Sequence, residues 1–395
     1  MENEVKEPAP KYNYVSPEQY LELEGSSVTK HEYYDGEIFA MAGASNAHND
    51  IAYNINRIIA PFLQGKGCKL YGSDFRVHVP EHLLFTYPDF SIVCGKAETS
   101  EVYTDNLTNP AVIVEILSAS TRDYDRGTKF TFYRSIKTLK EYILIDSLSI
   151  NVEIFTKQPN NSWNLKEYKQ FSDRFLISSI NFQICLQDIY DDVRFEESIS
   201  LYNELREDVS KYNFMSPDEY LVKERHLEYK NEYYFGKMIA MSPANIVHNN
   251  IIVNFYSSMA QDVKRKSCSL LGSNMRIGTP DRQAYMYSDA LIVGDEPELE
   301  DDEMDTLTNP IVIFEIVSPS ARSIDKGGKF FFYRQIPSLH EYIMIDSSKR
   351  FVQIERKQQD GAWRLDDIPD SASFFRIESI GFNFSLDELY HDTGL

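Results

Sequence analysis

Three acidic side chains and one lysine stand where a soluble protein has little ordinary use for them. Glu115 interrupts the apolar run AVIVEIL at 111–117, and Asp89 follows Pro88 at the head of a second apolar stretch, FSIVC. Glu32 lies in HEYY, ahead of an Asp-Gly turn. Lys129 falls four residues after Asp125 and four before Tyr133, so Arg122, Asp125, Lys129 and Tyr133 share one face of a helix. A carboxylate inside a buried strand is costly unless it is paired or binds a cation. Carboxylates brought together repel and raise one another's pKa. A divalent cation relieves that repulsion, and hard oxygen donors suit Mg²⁺ or Mn²⁺. Such an ion activates water and stabilises charge on a phosphoryl group. A neighbouring lysine stabilises the same charge or helps deprotonate the water. Each residue also has a plainer reading. Asp89 could close a strand-edge turn, Glu32 could face a base across a hairpin, and Lys129 could be solvated. His48, near a helix start, could orient a carboxylate, contact phosphate or help cap the helix.

The set occurs twice. Position n matches position n + 200 along the chain without a gap, so Glu232, His248, Asp289, Glu315, Asp325, Lys329 and Tyr333 repeat the residues above. A period this long signals duplicated domains, since solenoid units run to roughly 20–50 residues. The expected domains are 11–195 and 211–395, joined by an acidic, helix-like linker at 196–210.

The elements that must position these residues can be read from one copy. Ser16-Pro17-Glu18-Gln19 has the form of a capping box with Pro at the first helical position, and Ser216-Pro217-Asp218-Glu219 repeats it. HEYY-DG-EIFAMA reads as a hairpin, a signal weakened in the second copy, where the turn is Phe235-Gly236. Ile51, Ile55, Ile58, Ile59 and Phe62 have helical spacing. CKLYGSDFRVHV, FTYPDFSIVC and PAVIVEILS read as three strands. The last is apolar nearly throughout, as in a strand covered on both faces. Thr121 to Ile136 reads as a helix, and EYILID and VEIFT as further strands. The expected fold class is α/β, with a mixed central sheet flanked by helices, present twice.

The order Glu32, His48, Pro88-Asp89, Glu115-Ile116-Leu117-Ser118-Ala119-Ser120-Thr121, Asp125, Lys129, Tyr133, ending in EYILID, resembles the Uma-type putative restriction endonuclease family of the PD-(D/E)XK superfamily. The resemblance covers nearly all of both copies. It implies a restriction-endonuclease-like fold, with Asp89/Glu115 and Asp289/Glu315 as ligands of Mg²⁺ or Mn²⁺ and Glu32 and Glu232 as third acids. Leu117 and Val317 stand where the ordinary signature has its lysine, so the resemblance moves that role to Lys129 and Lys329. His48, Asp125, Tyr133 and their counterparts would support the site. Copy two departs at Ser288 for Pro88, Phe235 for Asp35, Lys237 for Glu37 and Ala321 for Thr121. Copy one has Ala119 where the family usually has proline. None of these removes the core groups. The expected function is a metal-dependent endonuclease acting on DNA, its two copies forming an intramolecular pseudo-dimer. The alternative is a nuclease-fold protein that binds or assembles without cutting.

Composition limits these readings. The formal net charge is −21, and nucleic-acid binders usually carry a basic face, because neutralised phosphates supply much of their affinity. No apolar run approaches the roughly 18 residues of a membrane span. No apolar signal segment is visible in MENEVKEPAPKYNY, so a soluble cytoplasmic protein is expected. Cys68, Cys94, Cys185 and Cys268 form no CxxC pair and read as packing thiols in a reducing compartment. The acidic loop 295–305 reads as solvated, its spacing unlike an EF-hand.

Overall fold

The computed structural model describes residues 14–41, 44–100, 105–118, 121–195, 215–227, 229–241, 245–264, 268–294, 296–317 and 324–395, with backbone alone at 260–264 and 324–326. The expected linker at 196–210 and the side chain of Asp325 lie outside the described residues. The chain divides into two compact units, one spanning Met1–Ser118, Phe130–Ile150 and Gln170–Arg194, the other Ala119–Lys129, Asn151–Lys169 and Phe195–Leu395. The sequence repeat and the spatial partition therefore differ. Two segments that belong to the first copy by sequence fold as part of the second unit.

In the first unit, a mixed sheet runs Cys68–Gly72, Phe90–Cys94, Val112–Leu117, Glu141–Asp146. The first three strands pair antiparallel and the last pair is parallel. Val112–Leu117 is buried at every position, which explains its unbroken apolar pattern around Glu115. A smaller sheet carries the hairpin His31–Tyr34/Glu37–Ala40 beside Leu84–Thr86, Arg76–Val79 and Asn106–Leu107. The helix Asn46–Leu63 buries Ile51, Ile55, Ile59 and Leu63, one face of a 3.6-residue period.

The second unit repeats this plan. Ser269–Gly272, Ala290–Val293, Pro310–Val317 and Glu341–Asp346 have the same pairing. The sheet then continues through Val352–Lys357 and Trp363–Ile368 to Trp163–Tyr168 and Val152–Lys157 of the first sequence copy. Helix Ile246–Lys264 lays Ile251, Phe255 and Met259 on a core that includes Ile292, Phe314, Ile343 and Ile354. Both capping boxes form, with Ser16 Oγ accepting from Gln19 N at 3.3 Å and Ser216 Oγ from Glu219 N at 3.2 Å. The second hairpin also forms. Phe235 (φ 47°) and Gly236 (φ 84°) adopt the positive angles that Asp35 (φ 42°) and Gly36 (φ 96°) adopt in the first.

Some expectations are corrected. CKLYGSDFRVHV is two strands in different sheets, Cys68–Gly72 and Arg76–Val79, because a turn closes between them (Phe75 N to Gly72 O, 3.1 Å). FTYPDFSIVC likewise breaks around Tyr87–Asp89, into Leu84–Thr86 and Phe90–Cys94. The helix expected over 121–136 is a short turn at Arg122–Tyr124, a π-helical segment at Asp125–Lys129 and a last turn at Phe130–Tyr133. The reading of Cys68 and Cys94 as packing thiols also fails. Antiparallel register sets them opposite each other with Cα atoms 4.0 Å apart, and they form a disulfide. Cys185 and Cys268 remain thiols.

Candidate active site

The second copy lies wholly within one unit. Glu315 sits mid-strand and Asp289 just ahead of the neighbouring antiparallel strand, so the ladder brings the two carboxylates to one end of the sheet. The Asp289 carboxylate is pinned from two sides. Oδ2 accepts the Ile316 N–H at 2.6 Å, and Oδ1 lies 2.8 Å from His248 Nε2. Asn245 Oδ1, not the imidazole, accepts the backbone N–H of residue 248, at 2.9 Å. The His248 ring is thus available to orient Asp289.

Glu315 is buried and its Oε1 accepts from Tyr333 Oη and from Lys329 Nζ, each at 3.0 Å. Lys329 Nζ also lies 2.9 Å from Glu232 Oε1 and donates to the Tyr287 carbonyl at 3.0 Å. Three acceptors thus surround an ammonium that has three N–H bonds. Glu232 in turn accepts the Tyr287 N–H at 3.0 Å and the Tyr234 hydroxyl at 2.8 Å. Tyr287 is the hub, since its N–H holds the acid and its C=O holds the lysine. Burial, and next the negative charge of Glu315, push the Tyr333 phenol far up, so it remains a neutral donor.

The first copy shares the carboxylate geometry. Asp89 Oδ2 accepts the Ile116 N–H at 2.6 Å, Oδ1 is 3.0 Å from His48 Nε2, and the Asp89 N–H points at Glu115 Oε2 at 3.4 Å. Ser45 Oγ accepts the His48 N–H at 3.2 Å, again leaving the ring for Asp89. Tyr133 Oη donates to Glu115 Oε1 at 3.0 Å. Glu32 accepts the Thr86 hydroxyl and, at 3.3 Å, the Tyr87 N–H. Met286 replaces Thr86 in copy two, and there the Tyr234 hydroxyl binds Glu232. Lys129 is buried, 3.4 Å from Asp125, and counts with the second unit, whereas Glu32, Asp89 and Glu115 count with the first.

Sequence reasoning missed the supports behind these residues. Glu24 accepts the His31 N–H at 2.9 Å and the Tyr87 hydroxyl at 3.0 Å, and Arg76 donates to that same hydroxyl at 3.1 Å. Glu224, Tyr287 and Arg276 repeat the arrangement. The only signal was that Glu24, Arg76 and Tyr87 recur 200 residues on, which many structural residues also do.

The donor set suits a hard cation. Among the described residues, Glu232 and Glu315 share one ammonium, Lys329, and Asp289 is paired with the His248 ring. Among the described residues no group of three or more His, Cys, Asp or Glu is arranged to hold a metal. Mg²⁺ does not require one, because it is commonly held by one or two carboxylates with water and substrate phosphate completing its shell. Asp289 with Glu315, and Asp89 with Glu115, supply such pairs.

The family model of Uma2, described as a putative restriction endonuclease, matches residues 17–186 and 217–387, most of the chain. The chain belongs to the Uma2 family. It carries two tandem Uma2 copies. Uncharacterized protein slr1290 of Synechocystis sp. is 34% identical over 183 residues, covering 46% of this chain and 95% of its own length. Uncharacterized protein sll1609 of the same organism is 35% identical over 153 residues, covering 38% of this chain and 84% of its own length. Each relative is thus about one Uma2 copy long. A crystal structure described as a putative nuclease belonging to DUF820, from Anabaena variabilis, aligns with a TM-score of 0.38 and 17% identity, over 45% of this chain and 97% of that one. In the second Uma2 copy Lys329 meets Glu315 from the following helical segment, and Val317, two residues after Glu315, is buried.

Proposed function

We propose that this Uma2 tandem is a metal-dependent endonuclease that hydrolyses phosphodiester bonds of DNA, with one carboxylate–lysine site in each copy. The observation that carries the reading is Lys329 Nζ held between Glu315 and Glu232, one strand away from Asp289. Asp289 and Glu315, and Asp89 and Glu115, would hold Mg²⁺ or Mn²⁺. The ion supplies charge stabilisation and nucleophile activation when bound. Lys329 would stabilise charge developing on a phosphoryl oxygen by releasing to it one of the N–H bonds that Glu315, Glu232 and the Tyr287 carbonyl hold. Glu232 and the Tyr287 carbonyl fix the direction of that donor. His248 and the Ile316 N–H fix the Asp289 carboxylate before substrate arrives, so it need not reorganise on binding. Two copies on one chain would act as an intramolecular pseudo-dimer able to cut both strands of a duplex. The closed ion cluster around Lys329 also suits the second reading, a nuclease-fold module that binds without cutting.

The test is Mg²⁺- or Mn²⁺-dependent cleavage of supercoiled plasmid and single-stranded DNA by wild type, Glu115→Gln, Glu315→Gln and the double variant. Cutting lost only in the double variant assigns two working sites, and loss in one single variant assigns the dominant copy. Equal cutting by wild type and the double variant refutes the site. Inert wild type that still binds DNA makes the binding module the better reading.

A further inference from the structure

Lys230 immediately precedes the strand Asn231–Tyr234. Side chains two apart on an extended chain share a face, so Lys230, Glu232 and Tyr234 point the same way. The Lys230 ammonium lies 5.3 Å from the ring centroid of Tyr287, the residue whose peptide groups hold both Glu232 and Lys329. It donates to the Ser273 carbonyl at 2.7 Å and approaches Ser273 Oγ at 3.3 Å. Both partners are neutral, so among the described residues the charge at this half-buried position has no direct ion pair. Burial lowers the Lys230 pKa, while the Asp289 and Glu224 carboxylates act in the opposite sense.

Lys30 has the same placement in copy one, 5.6 Å from the Tyr87 centroid and 3.0 Å from the Ser73 carbonyl. There, however, Asp74 lies 2.6 Å from the ammonium. The corresponding residue in copy two is the exposed Asn274. Copy two also exchanges Glu37 for Lys237, across the hairpin from Tyr234. One substitution removes a competing anion from the lysine, and the other adds a cation at the turn end of the hairpin, opposite the end where Lys230 stands.

We propose that Lys230 contacts a backbone phosphate of the substrate beside the second site, and that copy two is therefore the tighter-binding of the two. The inference rests on the nuclease reading, since it presumes a nucleic-acid substrate. Asn274→Asp recreates the copy-one pair while leaving Lys230 and its tie to Ser273 in place, so it separates charge from tethering. Asp74→Asn is the reciprocal change. Each phosphate contact contributes a slope of roughly −0.9 in log K against log salt, or about eightfold in affinity at 0.1 M salt.

The measurement is fluorescence anisotropy of a labelled 20-base-pair duplex titrated with full-length protein over a salt series, with Ca²⁺ replacing Mg²⁺. Asn274→Asp and Lys230→Gln should each weaken binding by up to that factor and flatten the salt slope by about one. Lys230→Arg should restore both, and Asp74→Asn should tighten binding. Asn274→Asp with wild-type affinity and slope overturns the inference while wild-type binding leaves the nuclease reading standing. A wild type that binds no duplex at any salt overturns both.

Discussion

Replacing Lys329 by methionine keeps the side chain's bulk and removes the ammonium paired with both Glu232 and Glu315. The two ion pairs measure 2.9 and 3.0 Å, and none of the three side chains is more than a tenth exposed, so solvent cannot take over the lost charge. Breaking a buried pair from one side costs roughly 3–5 kcal/mol, because the partner's charge is left buried. Here two carboxylates are left without the cation they share. Both tryptophans, Trp163 and Trp363, are buried in the second unit, so intrinsic fluorescence in urea reports that unit. With an m-value near the upper end of the usual range, about 3 kcal/mol per M, the midpoint should drop by about 1 M or more. Lys329→Met combined with Glu232→Gln and Glu315→Gln removes all three charges and should recover most of the loss. A Lys329→Met midpoint equal to wild type, or no recovery in the triple variant, would falsify the view that this lysine neutralises a buried acid pair.

Three further contacts make testable demands. A Cβ on Gly327 would meet the Asp123 carbonyl at 2.6 Å and the Gly127 nitrogen at 2.7 Å, both backbone atoms, so Gly327→Ala should cost about 1–3 kcal/mol in the fluorescence-monitored transition. Burial raises the Glu153 carboxyl, but Arg126 and Arg334 outweigh burial and hold it at about 2, below the ordinary 4.5. A depressed carboxyl adds stability above pH 4.5 that is lost as pH falls toward about 2. Glu153→Gln should thus be less stable than wild type at neutral pH and lose less on acidification, and a parallel acid profile would count against the pairing. The Cys68–Cys94 disulfide closes a loop of sequence separation 26, so reduction should lower the stability of the first unit by roughly 3 kcal/mol. Non-reducing peptide mapping that finds only free thiols would remove that prediction.

Several features were legible because they depend on neighbours in sequence. The capping boxes, the helix at 46–63 and the buried strand around Glu115 each follow from local pattern. The break inside CKLYGSDFRVHV was obscured because alternation continues on both sides of the turn, although Gly72-Ser73-Asp74 carries turn chemistry. The Cys68–Cys94 bond depends on strand register, which a single sequence does not fix. The π-helical stretch at 125–129 departs from the 3.6-residue period by which a helix shows in a sequence. Of the site, the acids and the lysine stood out by their types, whereas Tyr287 acts through its peptide groups and Lys230 through a strand that pairs Glu232 with Ile239. Residue identity gives no sign of either.

The strand pairing Trp163↔Leu365, Asn164↔Arg364, Leu165↔Trp363 joins the two halves of the sequence inside one folding unit. Arg334 reinforces it, reaching Glu153 at 3.1 Å and Glu167 at 2.9 Å. A gene cut at the repeat boundary would therefore encode two polypeptides that each expose an unsatisfied strand edge. Such fragments would be complementing partners that recover a folded second unit when co-expressed.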